Sequence, residues 1–90
     1  MVKTDEKIDA INQLMDQIIN DRTVPRNIRN AVQEAKDNFN DEKLGDMEVR
    51  ISAAVSILDE IINDPNMPMY TRTQVWNVVS LLESLRSKKG

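Results

Sequence analysis

Cysteine and histidine are both absent from this chain of 90 residues. Without cysteine the protein can form neither a disulfide bond nor a thiolate metal site. Without histidine it lacks the commonest general base and the commonest metal ligand. The composition therefore favours a protein that is not an enzyme and that needs no cofactor.

Glycine and proline are scarce, with two and three residues, and Trp, Tyr and Phe occur once each. So few breakers leave little room for linkers, and we predict one domain over residues 1–90. No apolar run approaches the length of a membrane span, and the charged N-terminus does not resemble a signal peptide. We therefore expect a cytoplasmic protein. Its net charge of −3, with both signs mixed, argues against a general binder of nucleic acid or membranes.

What the chain does contain is an internal repeat. Residues 14–36 align with residues 57–79 without gaps, and eight of the 23 positions are identical. Ordinary composition would give about one or two matches by chance. The identical pairs are Asp16/Asp59, Ile18/Ile61, Ile19/Ile62, Asn20/Asn63, Asp21/Asp64, Pro25/Pro68, Arg29/Arg72 and Val32/Val75. A repeat of this length predicts a duplicated pair of helices.

Each copy places an Asp, a Pro and an Arg four residues apart, after an Asn that suits a helix end. Proline suits the first turn of the next helix. With the spacing of the apolar residues, this predicts helices at about 5–19, 25–38, 46–62 and 68–86. We predict two hairpins, residues 4–40 and 47–86, with turns like those of HEAT repeats, closing into an all-α four-helix bundle. The Asp and Arg of each copy are interpreted as structural residues, the Arg reaching back to the turn.

Met67, Met69, Tyr70 and Trp76 form a first candidate site near the start of the fourth helix. Such a cluster is typical of a protein-binding surface. It is equally typical of core at one end of a bundle, which is the interpretation that the high average burial of tryptophan favours.

Arg22, Arg26, Arg29 and Lys36 form a second candidate site at the basic start of the second helix. A cationic helix start is unfavourable to the helix dipole and so invites an anion, such as phosphate or an RNA backbone. The alternative, which we favour, is a solvated face paired with nearby carboxylates.

A divalent ion held by carboxylates is the least favoured site. Asp16, Asp21, Asp59 and Glu60 are its candidates, but they lie at helix ends and on polar faces without a histidine partner. The sequence therefore predicts no metal site and no catalytic residue.

One run of residues is specific enough to suggest a family. It reads LMDQIINDRTVPRNIR over residues 14–29, and it is followed by ILDEI at 57–61, NDPNMP at 63–68, Arg72 and VWN at 75–77. This pattern resembles the archaeal proteins of uncharacterised protein family 0147. The resemblance implies an archaeal, cytoplasmic, all-helical protein, and it implies no activity or functional residue.

The repeat and the candidate clusters lead to two hypotheses of function. The first is a protein–protein interaction module or small adaptor, with an unknown partner or a second copy of itself as a homodimer. The alternative is a protein associated with nucleic acid or the ribosome through the basic start of the second helix.

Overall fold

The computed structural model describes residues 4–86, which form four helices and no strand. The helices are α1 (Thr4–Ile19), α2 (Arg26–Asn40), α3 (Met47–Ile61) and α4 (Met69–Arg86). The predicted all-α fold is thereby confirmed, and each helix begins and ends within two residues of its predicted bounds. The ends of the predicted domain, residues 1–3 and 87–90, lie outside the described residues.

The four helices pack as a ring in chain order. α1 contacts α2 and α4, and α3 also contacts α2 and α4. Short turns make successive helices antiparallel, so the turns at residues 20–25 and 62–68 lie together at one end of the bundle. We call this the turn end. Asn27 at the start of α2 joins the two turns there, because its Nδ2 donates to Asp64 Oδ2 at 2.9 Å.

The core follows the helical spacing of the apolar residues. Large side chains are buried three or four positions apart along every helix, which gives each helix one inward stripe. The core residues are Ile11, Met15, Ile18, Val24, Ile28, Val32, Ala35, Phe39, Ile51, Ala54, Val55, Leu58, Met67, Val75, Val78, Leu82 and Leu85. No helix among the described residues is long and apolar enough to cross a bilayer.

The two turns use the same hydrogen bonds. Asp21 Oδ1 accepts from the backbone N–H of Thr23 at 2.9 Å, and Asp64 Oδ1 accepts from that of Asn66 at 2.8 Å. Such bonds from Asp to the backbone two residues on stabilise a turn without help from the helices. The next residue, Val24 or Met67, is buried in each case. The likeness of the turns is therefore structural, while their origin by duplication stays a prediction.

The arginine of each turn donates to backbone carbonyls. Arg29 Nε donates to Val24 O at 3.0 Å. Arg72 Nε donates to Ile62 O at 3.1 Å, and its Nη2 donates to Asp64 O at 3.1 Å. The last carbonyls of a helix have no partner within it, so Arg72 supplies donors where α3 ends.

The connector between the hairpins begins α3 with a side-chain cap. Asp46 Oδ1 accepts from the Val49 N–H at 3.1 Å. Gly45, just before it, has a φ of +155°, and a Cβ there would lie 3.0 Å from Val49 Cβ. A glycine is needed at this position because larger residues rarely adopt a positive φ.

Candidate interaction surface

The buried stripe of α4 decides which of its residues face outward. Its buried residues are Thr71, Gln74, Val75, Val78, Leu82 and Leu85. At 100° per residue, positions 69, 73, 76 and 80 lie on the opposite side of the helix. All four are exposed, as are Tyr70 and Asn77 beside them. We call these six residues the outer face of α4: Met69, Tyr70, Thr73, Trp76, Asn77 and Ser80.

Three large side chains on the outer face of α4 are mostly exposed to solvent. Met69 is 72% exposed, Tyr70 is 70% exposed and Trp76 is 55% exposed. The interpretation of the aromatic and methionine cluster as core was therefore wrong for these three residues. Its physical basis was the high average burial of tryptophan, but the neighbours of α4 lie on the other side of the helix.

Met67 does not belong to this surface. It is only 4% exposed and forms part of the core. It holds the place in the second turn that buried Val24 holds in the first, which corrects its assignment to a partner-binding cluster. Thr73, Asn77 and Ser80 were missed in its place, although their spacing from Trp76 was a signal in the sequence.

The six residues of the outer face of α4 are uncharged, and the charged residues nearest to them are Arg72 and Glu83 on the other flank of the helix. Each of the other helices exposes at least two acidic residues, for example Asp5 and Asp9 on α1, Glu34 on α2, and Asp59 and Glu60 on α3. On α4 the only charged residues are half-buried: Arg72 bonds to carbonyls, and Arg86 forms an ion pair with Glu83 at 3.3 Å.

The flank of α4 that faces α3 is fixed by its two arginines. Arg72 donates to the end of α3, as described above, and Arg86 Nη2 donates to Ser52 Oγ on α3. These bonds fix the orientation of α4 about its own axis. They therefore also hold Trp76 on the outside.

A buried polar atom lies close to the outer face. Gln74 is largely buried, and no hydrogen-bond partner is found for its Oε1 within residues 4–86. Its side chain lies one helical turn after Tyr70, on the side of α4 that faces away from Arg72. An amide oxygen without a donor costs about 1–3 kcal/mol of stability.

The four residues of the basic candidate site differ in their contacts and exposure. Lys36 Nζ forms an ion pair with Asp16 Oδ1 at 2.5 Å, and Arg29 donates to Val24 O. Arg22 and Arg26 are exposed at the turn end. Two of the four cations thus serve contacts within the bundle, and the anion contact stays a prediction.

The carboxyl group of Asp21 has a lowered pKa. Hydrogen bonds from the Thr23 hydroxyl and backbone N–H lower the pKa of Asp21. Desolvation opposes them with a smaller effect, and the charge of Arg29 lowers the pKa slightly further. Across residues 4–86, no three acidic side chains lie close enough together to hold a metal ion, and no concave pocket is found.

Comparison with known proteins identifies relatives over nearly the whole chain. The model of the uncharacterised protein family UPF0147 matches residues 1–85. A UPF0147 protein of Methanocaldococcus jannaschii is 51% identical over 85 residues, which are 93% of this chain and 90% of that protein. A UPF0147 protein of Sulfolobus acidocaldarius is 51% identical over 73 residues, 81% of each chain.

Two crystal structures have the same fold. The unknown function protein MMP1188 matches with a TM-score of 0.88 and 42% identity, over 93% of this chain and 94% of that one. A protein of the same uncharacterised family from Thermoplasma acidophilum matches with a TM-score of 0.85 and 33% identity, over 90% and 94%.

Proposed function

Since this chain belongs to the uncharacterised protein family UPF0147, we propose its function from its own surface: it is a protein–protein interaction module that binds through the outer face of α4. The bundle supplies a rigid support for that face. The proposed function is binding through contact and desolvation, with no chemical reaction.

The exposure of Met69, Tyr70 and Trp76 carries the proposal. Scaled by their exposed fractions, the three side chains present on the order of 400 Å² of mostly apolar surface, at about 200 Å² for each when fully exposed. Patches of about 300–600 Å² are often functional on monomeric proteins. A partner that covers this apolar surface removes it from water, which favours binding.

The types of residue on the face also support binding. Tryptophan and tyrosine are enriched among the residues that contribute most to protein interfaces, because they bury a large area with few rotatable bonds. Thr73, Asn77 and Ser80 lie between or beside the large residues and supply hydrogen-bonding groups. Such a convex face suits a partner helix or groove packed along α4.

Site-specific photo-crosslinking in a lysate of the source cells tests this proposal. A benzophenone amino acid at Thr73 lies in the middle of the outer face and keeps Trp76 in place. The matched control is the same group at Asn30, which is exposed and lies at the equivalent position of α2, 43 residues earlier. Half of each sample is treated with nuclease before irradiation.

Discrete protein adducts from position 73 that are absent from position 30 and that persist after nuclease are the expected result. Equal products from both positions, or none from position 73, would overturn the proposal. Adducts that nuclease removes would instead support the alternative, association with nucleic acid or the ribosome through Arg22 and Arg26 and, less directly, Arg29 and Lys36.

A further inference from the structure

We propose that the outer face of α4 binds the same face of a second copy of this chain, with the two α4 helices antiparallel. This inference rests on the proposed function and names its partner. Four properties of the face support this dimer: its spacing, the sizes of its side chains, its lack of charge and its area.

The spacing along the centre of the face is that of a two-helix seam. Met69, Thr73, Trp76 and Ser80 are separated by four, three and four residues. Alternating steps of three and four keep side chains along one narrow stripe, which is the pattern of helices that pack side by side over their length. The seam therefore runs for three turns of α4.

The sizes of the side chains choose the antiparallel arrangement. Along the seam, large and small residues alternate. In an antiparallel pair, Met69 lies opposite Ser80 of the second copy, and Trp76 lies opposite Thr73 of the second copy. Each large residue then meets a small one, as close packing requires. A parallel pair would place Trp76 against Trp76 and leave a gap where Ser80 meets Ser80.

The flank of the seam that carries Tyr70 and Asn77 is compatible with this arrangement. In an antiparallel pair related by a two-fold axis, the same flank of each helix meets its own copy. Tyr70 and Asn77 lie on one flank of α4, within about 20° of each other around the helix axis. Tyr70 of one copy then comes beside Asn77 of the other, where a hydroxyl and an amide can form a hydrogen bond.

The absence of charge makes the face suitable for its own copy. In a two-fold interface every charged residue near the axis meets its own kind, and like charges disfavour that contact. The outer sides of α1, α2 and α3 expose acidic residues, and the chain has a net charge of −3. The seam of α4 is uncharged from Met69 to Ser80. The charged residues beside it are Arg72, which is bonded to backbone carbonyls, and Glu83, which is paired with Arg86 and lies about 25 Å along the axis from its own copy at 1.5 Å per residue. Two copies can therefore meet here without contact between acidic residues.

The available area is that of a weak but specific dimer. Two copies contribute on the order of 800 Å² from their large side chains, by the scaling given above. With Thr73, Asn77 and Ser80 the total reaches about 1,000–1,200 Å², the lower end of the range for specific interfaces. We therefore expect dissociation in the micromolar range and a dimer that depends on concentration.

Disulfide trapping tests the partner and the orientation together, because the natural chain has no cysteine. Single cysteines are placed by Met69→Cys and Ser80→Cys, and each variant is oxidised alone and as a mixture. In the antiparallel pair, residue 69 is level with residue 80 of the second copy and about 16 Å along the axis from residue 69 of that copy, at 1.5 Å per residue. Disulfides do not span more than about 7 Å between Cα atoms.

The expected result is a disulfide dimer in the mixture and none in either variant alone. Disulfides in each variant alone would show a parallel pair and overturn the orientation. No disulfide in any sample would overturn the dimer. Adducts to a different protein in the photo-crosslinking experiment would then leave the interaction module standing, whereas their absence would remove both proposals.

Sedimentation equilibrium without cysteines provides the second measurement. The natural chain should associate with rising concentration, and Trp76→Glu should abolish association by placing a carboxylate in the seam. Val49→Glu is the matched control, since Val49 is an exposed apolar residue on α3, and it should associate like the natural chain. Circular dichroism shows that both variants are folded. A natural chain that is monomeric at all concentrations, or a control that also dissociates, would contradict the inference.

Discussion

Two methionines that are two residues apart provide a direct test of the surface. Met67 is 4% exposed and Met69 is 72% exposed, so the same truncation to alanine removes the same atoms from two different environments. Met67→Ala leaves a cavity in the core and should cost about 2–5 kcal/mol of unfolding free energy. That is a large part of the total for a chain of this size, which is about 5–13 kcal/mol.

Met69→Ala should cost far less. About a quarter of the Met69 side chain is out of solvent, on the order of 50 Å², which at about 25 cal/mol per Å² is worth about 1 kcal/mol. This value is an upper bound, because alanine is also slightly the better helix former. The informative quantity is therefore the ratio of the losses in unfolding free energy that the two substitutions cause.

Urea unfolding followed by circular dichroism measures both costs. With a slope of about 1–3 kcal/mol per molar urea, Met67→Ala should lower the midpoint by about 1 M or more. Met69→Ala should lower it by at most about half as much as Met67→Ala, because its largest expected cost is about 1 kcal/mol against about 2–5 kcal/mol. The protein is kept dilute, so that dissociation of a dimer does not contribute. Equal costs would refute the placement of α4, and with it the outer face on which both proposals rest.

Three further predictions concern the turns and the buried amide. Hydrogen bonds lower the pKa of Asp21 in the folded protein below its ordinary value of 3.8. Its carboxylate therefore stabilises the fold fully at pH values above 3.8, and this stabilisation is lost as the pH falls through the lower folded pKa. Asp21→Asn should accordingly flatten this part of the acid unfolding curve. Arg72→Ala removes the donors to two carbonyls and should cost about 1–3 kcal/mol in urea unfolding, whereas Arg72→Lys should recover only part of this because it lacks the planar fork. Gln74→Met removes the unpaired Oε1 at similar volume and should raise stability by about 1 kcal/mol in the same assay; a loss of stability would show that the oxygen has a partner.

The sequence carried the information for the helices because their signals are local. Proline precedes the start of α2 at residue 25 and the start of α4 at residue 68, and Asp46 caps α3. Apolar residues recur at helical spacing along each helix. These choices depend on residues a few positions apart. The helix bounds therefore agreed with the structure to within two residues.

The side of α4 that faces water depended on where its neighbours lie. A tryptophan near the start of a helix is compatible with core or surface, and the average burial of tryptophan gave the wrong answer for Trp76. The buried stripe through Val75, Val78 and Leu82 was visible in the sequence, and position 76 is far from that stripe around the helix. Periodicity, rather than residue type, held the better signal here.

The basic residues show where sequence reasoning ends. Arg29 was expected to reach back to its turn, and the structure places it there, on Val24 O. The ion pair of Lys36 with Asp16 joins two helices across 20 positions. No local pattern shows which carboxylate a lysine on the next helix will meet, because that depends on the rotation and height of both helices.

The single tryptophan gives the protein an optical property of its own. Trp76 lies on the outer face of α4 rather than in the core, so in the folded monomer its fluorescence should already report an aqueous environment. Unfolding of the monomer should change this emission little, whereas covering the face should shift it toward the blue. The natural chain is thus its own label for binding at this surface, and a denaturation experiment that relies on the same signal would overlook the melting of the bundle.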